Sequence, residues 1–129
     1  MKNLQKLFLA TLGLAAFTLL PGCESLRASP GPDGTAFSLA TLDGIVRGTP
    51  KQVVEAAEEV LEEMDLKVVT SAASGVDGKL VARSALDKPI NIEVKKMDDS
   101  TSKVSIRVGT FGDSELSREI YRKTKSKRS

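Results

Sequence analysis

One thiol, one cluster of carboxylates, one glycine-rich turn and one basic run are the places where this sequence could do chemistry. Cys23 is the only cysteine in 129 residues, so no intramolecular disulfide can form and the fold must hold by packing. The carboxylates are Glu55, Glu58, Glu59, Glu62 and Glu63, which could in principle supply a general acid and base or a divalent cation site. Tuned catalysis needs burial and unlike environments, whereas this spacing spreads the five over the wet face of an amphipathic helix. Gly109 to Asp113, "GTFGD", joins a strand to a helix, where glycine loops can cradle phosphate. Asp113 and Glu115 bring negative charge to the very helix start an anion would need, and no Lys follows the glycines at P-loop spacing, so a tight turn with Phe111 tucked into the core is expected. The basic run holds Arg122, Lys123, Lys125, Lys127 and Arg128. It reads either as a solvated helix end, where cations are favoured, or as a contact for anionic head groups or an acidic partner. The second reading would bring about 1 kcal/mol per charge near such a surface, screened by salt.

Other chemistries are missing from the composition. There is no His, which removes the usual general base near neutral pH and the commonest metal ligand. Aromatics are 4% with no Trp, so platforms for stacking bases have almost nothing to be built from. No catalytic residue, metal site, cofactor or nucleic-acid partner is expected.

The setting of Cys23 gives it a role. Lys2 and Lys6 precede an apolar run from Leu7 to Leu20, roughly 14 residues or ~21 Å as a helix, short of a bilayer core of about 30 Å. A basic start, an apolar middle and small residues at the end form the pattern of a secretory signal. Pro21 and Gly22 break the helix where a peptidase needs extended chain. Leu20, Pro21, Gly22 and Cys23 resemble the bacterial lipobox, with Pro21 standing where a small residue is more usual. That resemblance implies cleavage between Gly22 and Cys23 and acylation of Cys23, with three acyl chains anchoring the mature protein firmly. Glu24, rather than Asp, favours the outer over the inner membrane. The alternative is an uncleaved signal that leaves a single-pass inner-membrane protein.

The remainder of the chain supplies one domain. The sequence carries 19 basic residues, of which Lys2 and Lys6 lie in the signal, against 17 acidic ones, so the chain without its signal is formally neutral. Residues 1–22 read as the signal peptide, 23–35 as a Pro-, Gly- and Ser-rich tether, 36–125 as the folded domain and 126–129 as a basic tail. A first strand with a bend or bulge at its Gly is expected in "AFSLATLDGIVRG". Thr49, Pro50 and Gln52 are a helix start with N-cap, N1 proline and capping-box partner, and the helix should run to about Asp65. Val53, Ala57, Val60, Leu61 and Met64 form its apolar stripe. Four strand-like segments then succeed it, each between turn residues.

In the last two of these segments Ile90, Ile92 and Val94, then Val104, Ile106 and Val108, alternate with polar residues, the pattern of a sheet with one buried and one wet face. If these two pair as a hairpin, both apolar sets share a face only when paired residue numbers sum to an even value. A sum of 200 sets Glu93 opposite Arg107. A closing helix from Asp113 to about Lys125 puts Leu116, Ile120 and Thr124 on one side. The economical arrangement is an α+β two-layer sandwich: a mostly antiparallel sheet of about 4–5 strands with two helices packed on one face.

The run "VSIRVGTFGDSELSREI", Val104 to Ile120, with the elements before it, resembles a family of small Gram-negative bacterial lipoproteins of unknown function over roughly residues 38–124. The resemblance implies a lipid anchor and an α+β layout and carries no catalytic residues. The expected protein is therefore a non-enzymatic, lipid-anchored module of the cell envelope facing the periplasm. It is held to the membrane through Cys23 and open to an envelope protein partner. The rival is a hydrolytic or metal-using enzyme based on carboxylates.

Overall fold

The computed structural model describes residues 34–129. The signal, Gly22, Cys23 and nearly all of the tether lie outside the described residues. The chain becomes buried at Thr35 and forms β1 (Ala36–Ser38), β2 (Thr41–Arg47), α1 (Pro50–Glu63), β3 (Lys67–Ala73), β4 (Asp77–Arg83), β5 (Pro89–Lys96), β6 (Thr101–Val108) and α2 (Ser114–Lys127).

Local chemistry sets both helix starts. The Thr49 side chain accepts a hydrogen bond from the Gln52 backbone N–H at 3.3 Å while the Gln52 side chain accepts from the Thr49 N–H at 3.0 Å. Two otherwise unpaired donors are satisfied, and Pro50 occupies the first turn, where its missing N–H is harmless. α1 ends at Glu63, close to the expected Asp65, where the chain reverses through a left-handed Asp65 at φ 58°. At α2 the Asp113 carboxylate accepts from the Leu116 N–H at 3.1 Å, and Glu115 adds charge favourable to the helix dipole. α2 runs through Lys127, past the expected end at Lys125.

The strands form one open antiparallel sheet of 6 strands in the order β1-β2-β6-β5-β4-β3. Connection β2-α1-β3 crosses the whole sheet, so α1 lies over β3, β4 and β5 and α2 over β2 and β6, and the two helices pack against each other. Alternation decides the faces. Leu42, Val46, Leu80, Ile92, Val104 and Ile106 point to the helices and are fully buried, while Asp43, Lys79, Glu93, Lys103 and Arg107 stand on the other face, which no described element covers. The result is a two-layer α+β domain.

Four expectations need correction. The sheet has 6 strands rather than 4–5, because the first segment is not one bent strand but a hairpin: Ser38 pairs with Thr41 around the two residues Leu39 and Ala40. Gly44 makes no bulge either. It pairs in register with Val104, and its missing side chain leaves the seat for the Tyr121 ring, which a Cβ there would strike. The β5–β6 pairing sums to 198, not 200, with Asn91 opposite Arg107 and Glu93 opposite Ser105. The parity, and hence the faces, are as expected. The shift by two arises in the loop, where Asp98 accepts from the Ser100 and Thr101 N–H groups, both at 2.8 Å, and Met97 N–H bonds Thr101 C=O. Lastly, Phe111 is outside the core, 92% exposed, on a loop held by left-handed Gly109 and Gly112, the second of them pressed against the Ala40 backbone.

α1 also buries more than its stripe. Val54 is buried beside the line because Gly78 of β4 leaves room for it; a Cβ on Gly78 would stand 2.5 Å from a Val54 methyl.

Candidate functional site

The strand register divides the molecule into two ends. One, the hairpin end, gathers the β1–β2 turn, the α1–β3 turn, the β4–β5 turn and the β6–α2 loop. The other, the cap end, gathers the start of α1, the β3–β4 and β5–β6 turns and the end of α2. At about 3.3 Å per residue the strands separate them by roughly 25 Å.

The basic run lies at the cap end and is largely engaged with the domain itself. Lys127 Nζ reaches Glu63 at 2.7 Å and Glu59 at 3.4 Å on α1. The hydrogen bond from Lys127 to Glu63 raises its pKa above the ordinary lysine value, with Glu59 adding to the effect. Arg128 donates to the Arg47 carbonyl at 3.1 Å and to the Gln52 side chain at 3.2 Å, joining β2, α1 and the end of α2. Gly48 beside it, at φ 124°, has the Arg128 guanidinium 2.9 Å from where a Cβ would be. Lys125 sits 5.7 Å from the Tyr121 ring centroid, a cation–π distance, and Lys123 lies 3.8 Å from Glu119. Arg122 points outward beside Lys123 and Ser126, around a shallow depression. Of the five candidate cations, Arg122 is the one with no ion pair, hydrogen bond or ring contact among the described residues.

The five glutamates do not converge. Glu59 and Glu63 hold Lys127, Glu58 accepts from the Ser71 hydroxyl at 3.0 Å, and Glu55 and Glu62 face solvent. Among the described residues no group of three Asp, Glu, His or Cys is placed to hold a metal ion.

"GTFGD" is a brace. Gly109 at φ 70° and Gly112 at φ 81° are both left-handed, and Arg107 donates to the Thr110 carbonyl at 2.7 Å. Gly112 presses on the β1–β2 turn: a Cβ there would stand 2.6 Å from the Ala40 carbonyl oxygen. The Ala40 backbone thus closes the Gly112 side of the loop, and Thr110 and Phe111, between the two left-handed glycines, are exposed. The α2 N-terminus is occupied by the Asp113 carboxylate.

The uncovered sheet face carries a polar depression of about 290 Å³ lined by Thr41, Lys79, Asn91, Glu93, Ser105 and Arg107. Next to it Ser105 donates to Asp43 at 2.6 Å and Lys103 lies 3.7 Å from the same carboxylate. Period-2 alternation places these residues on the wet face, but their neighbourhood depends on strand order.

A family model for a protein of unknown function, DUF3568, matches residues 6–127, nearly the whole chain. The chain belongs to the DUF3568 family. Comparison with curated proteins gives no match. The matched span begins beside the apolar N-terminal run and closes at the last residue of α2, so the DUF3568 unit joins the N-terminal segment to the domain. No helix among the described residues is long and apolar enough to cross a membrane.

Proposed function

We propose that this DUF3568 protein is a lipid-anchored component of the bacterial cell envelope whose α+β domain faces the periplasm and serves as a structural or interaction module. The observation that carries the proposal is Leu20-Pro21-Gly22-Cys23 at the end of a basic-then-apolar segment, with a Pro- and Gly-rich stretch after it. In that pattern the Cys23 thiol carries a thioether-linked diacylglycerol, the amine freed by cleavage of the preceding bond takes a further acyl chain, and acyl chains bring about 0.8 kcal/mol per buried CH₂. Glu24 favours the outer membrane. The domain supports a binding rather than a catalytic role: its chemistry-bearing side chains bond to one another across elements, as Lys127 does with Glu59 and Glu63 and Ser105 with Asp43.

Metabolic labelling with palmitate tests the anchor. The wild-type chain is expected to take up label and to begin at Cys23, and Cys23→Ser to lose the label and the membrane association together. Absence of label in the wild type, or label that persists in Cys23→Ser, would overturn the proposal. Mass measurement of the mature N-terminus distinguishes an uncleaved signal, which would retain Leu7 to Leu20.

A further inference from the structure

The most exposed large apolar side chains of the described domain are all at the hairpin end: Leu39 is 94%, Phe111 92% and Leu86 84% exposed. Each stands on a different loop, and the strand order spaces those loops evenly. The β1–β2 turn lies between the first two strands, the β6–α2 loop above the third, and the β4–β5 turn between the fourth and fifth. With strands about 4.8 Å apart, the three tips are roughly 7 Å from one another in a row of about 14 Å. Single exposed hydrophobics are ordinary, but a row with one on three of the four connections at this end is a surface.

The loops are built to hold these residues out. Leu39 and Ala40 are both left-handed, at φ 49° and 67°, the conformation of a tight hairpin turn that favours Asn and Gly. Leu39 therefore strains the turn and buries almost nothing within the domain. Phe111 is presented by the two left-handed glycines of its loop. Leu86 is presented by a turn that Ser84 closes with Lys88 and with Asp87, itself left-handed at φ 63°.

We propose that this end is a lipid-contact edge, where Leu39, Leu86 and Phe111 enter the interfacial layer of the bilayer that holds the chain's own N-terminal lipid. The inference rests on the anchor reading. Chain length allows it: Cys23 lies 11 positions before Gly34, at most ~38 Å when extended, and β1 enters the fold running towards these same tips. Attachment at Cys23 keeps the tips at high effective concentration near the surface, so three shallow side chains suffice. Charges beside the tips balance, with Lys67, Arg83, Lys88 and Arg107 against Asp65, Asp87, Asp113 and Glu115. Contact should accordingly need neither anionic lipid nor low salt. The basic run at the other end of the sheet cannot reach the same flat membrane at the same time.

The chain has no Trp, so one introduced indole reports one position. Phe111→Trp and, at the cap end, Val76→Trp are compared in the mature, lipidated full-length protein on phosphatidylcholine vesicles with and without brominated acyl chains. The expected result is a blue shift and loss of at least half of the emission to bromolipid for Phe111→Trp, unchanged in high salt, with Val76→Trp unaffected. Equal behaviour of the two variants overturns the inference. So does a Phe111→Trp that is shielded from aqueous iodide yet untouched by bromolipid, which means a protein neighbour. Failure of the anchor reading is seen separately, as absence of acyl mass on Cys23. In that case the same pair, measured on the unlipidated chain with excess vesicles, still decides: quenching restricted to Phe111→Trp supports the edge, and none overturns it.

Discussion

Gly48 at the cap end and Gly112 at the hairpin end are both left-handed and both pressed by a neighbour, yet the neighbours differ in kind. Against Gly48 lies the Arg128 side chain, which can move; against Gly112 lies the Ala40 backbone, which cannot. The contrast extends to the surroundings. At the cap end Thr49 and Gln52 bond each other, the Ser102 hydroxyl donates to the buried Gly48 carbonyl at 2.8 Å, and Lys127 and Arg128 reach back onto α1 and β2. Polar groups there are turned inward on the domain. At the hairpin end the loops brace each other through backbone and turn apolar side chains outward. Val76 and Met97 at the cap end are also exposed, but less so than Leu39, Phe111 and Leu86, so the domain has a direction, with its charges engaged at one end and its most exposed hydrocarbon at the other.

The largest expected effect concerns the two glycines. Gly112→Ala should destabilise by about 2–4 kcal/mol, since rigid backbone must shift in a left-handed residue, whereas Gly48→Ala should cost about 1–2 kcal/mol, mostly conformational strain. Chemical denaturation of the two variants checks this, and equal losses would mean that the hairpin-end brace is no tighter than the side-chain contact at the cap end. Next in size is the double change Leu39→Asn with Ala40→Gly. Relieving the turn should raise stability by about 1–2 kcal/mol while bromolipid quenching of an indole at position 111 falls. A rise in stability with unchanged quenching would remove Leu39 from the lipid-contact edge.

The smallest effect belongs to Lys127. Its folded pKa is raised by Glu63 and Glu59, so the stability it contributes is fully present below the ordinary lysine pKa and is lost as pH rises through the raised value. Unfolding midpoints of wild type and Lys127→Met should differ modestly at neutral pH and low salt and converge at high pH. A difference that persists at high pH would assign the effect to packing of the lysine stem instead.

How much of the fold is legible in the sequence depends on how far apart the interacting residues are. The α1 start is complete within four residues, so its capping box could be recognised, as could the alternation that assigns Ile90, Ile92 and Val94 to the core. Register parity comes from the same alternation, but its value was set by Asp98, which caps the loop so that its centre falls one residue earlier. The β1–β2 hairpin is not legible in the sequence because Leu39-Ala40 lacks the Asn or Gly that marks such turns. The outward Phe111 is not legible, because its loop is held by a contact between Gly112 and the Ala40 backbone, and Ala40 lies 71 positions from Phe111 in sequence.

The chemistry at Cys23 is legible from neighbouring residues alone, since a basic start, an apolar run and Leu-Pro-Gly-Cys act as a linear pattern and need no fold. Helix starts and the buried face of each strand are likewise carried by spacing along the chain. Strand order, the seat of Tyr121 over Gly44, the engagement of Lys127 and Arg128, and the gathering of Leu39, Leu86 and Phe111 into one row were decided only in the tertiary structure. Each depends on residues that meet solely because α1 carries the chain across the whole sheet and β4 to β6 then return strand by strand to β2.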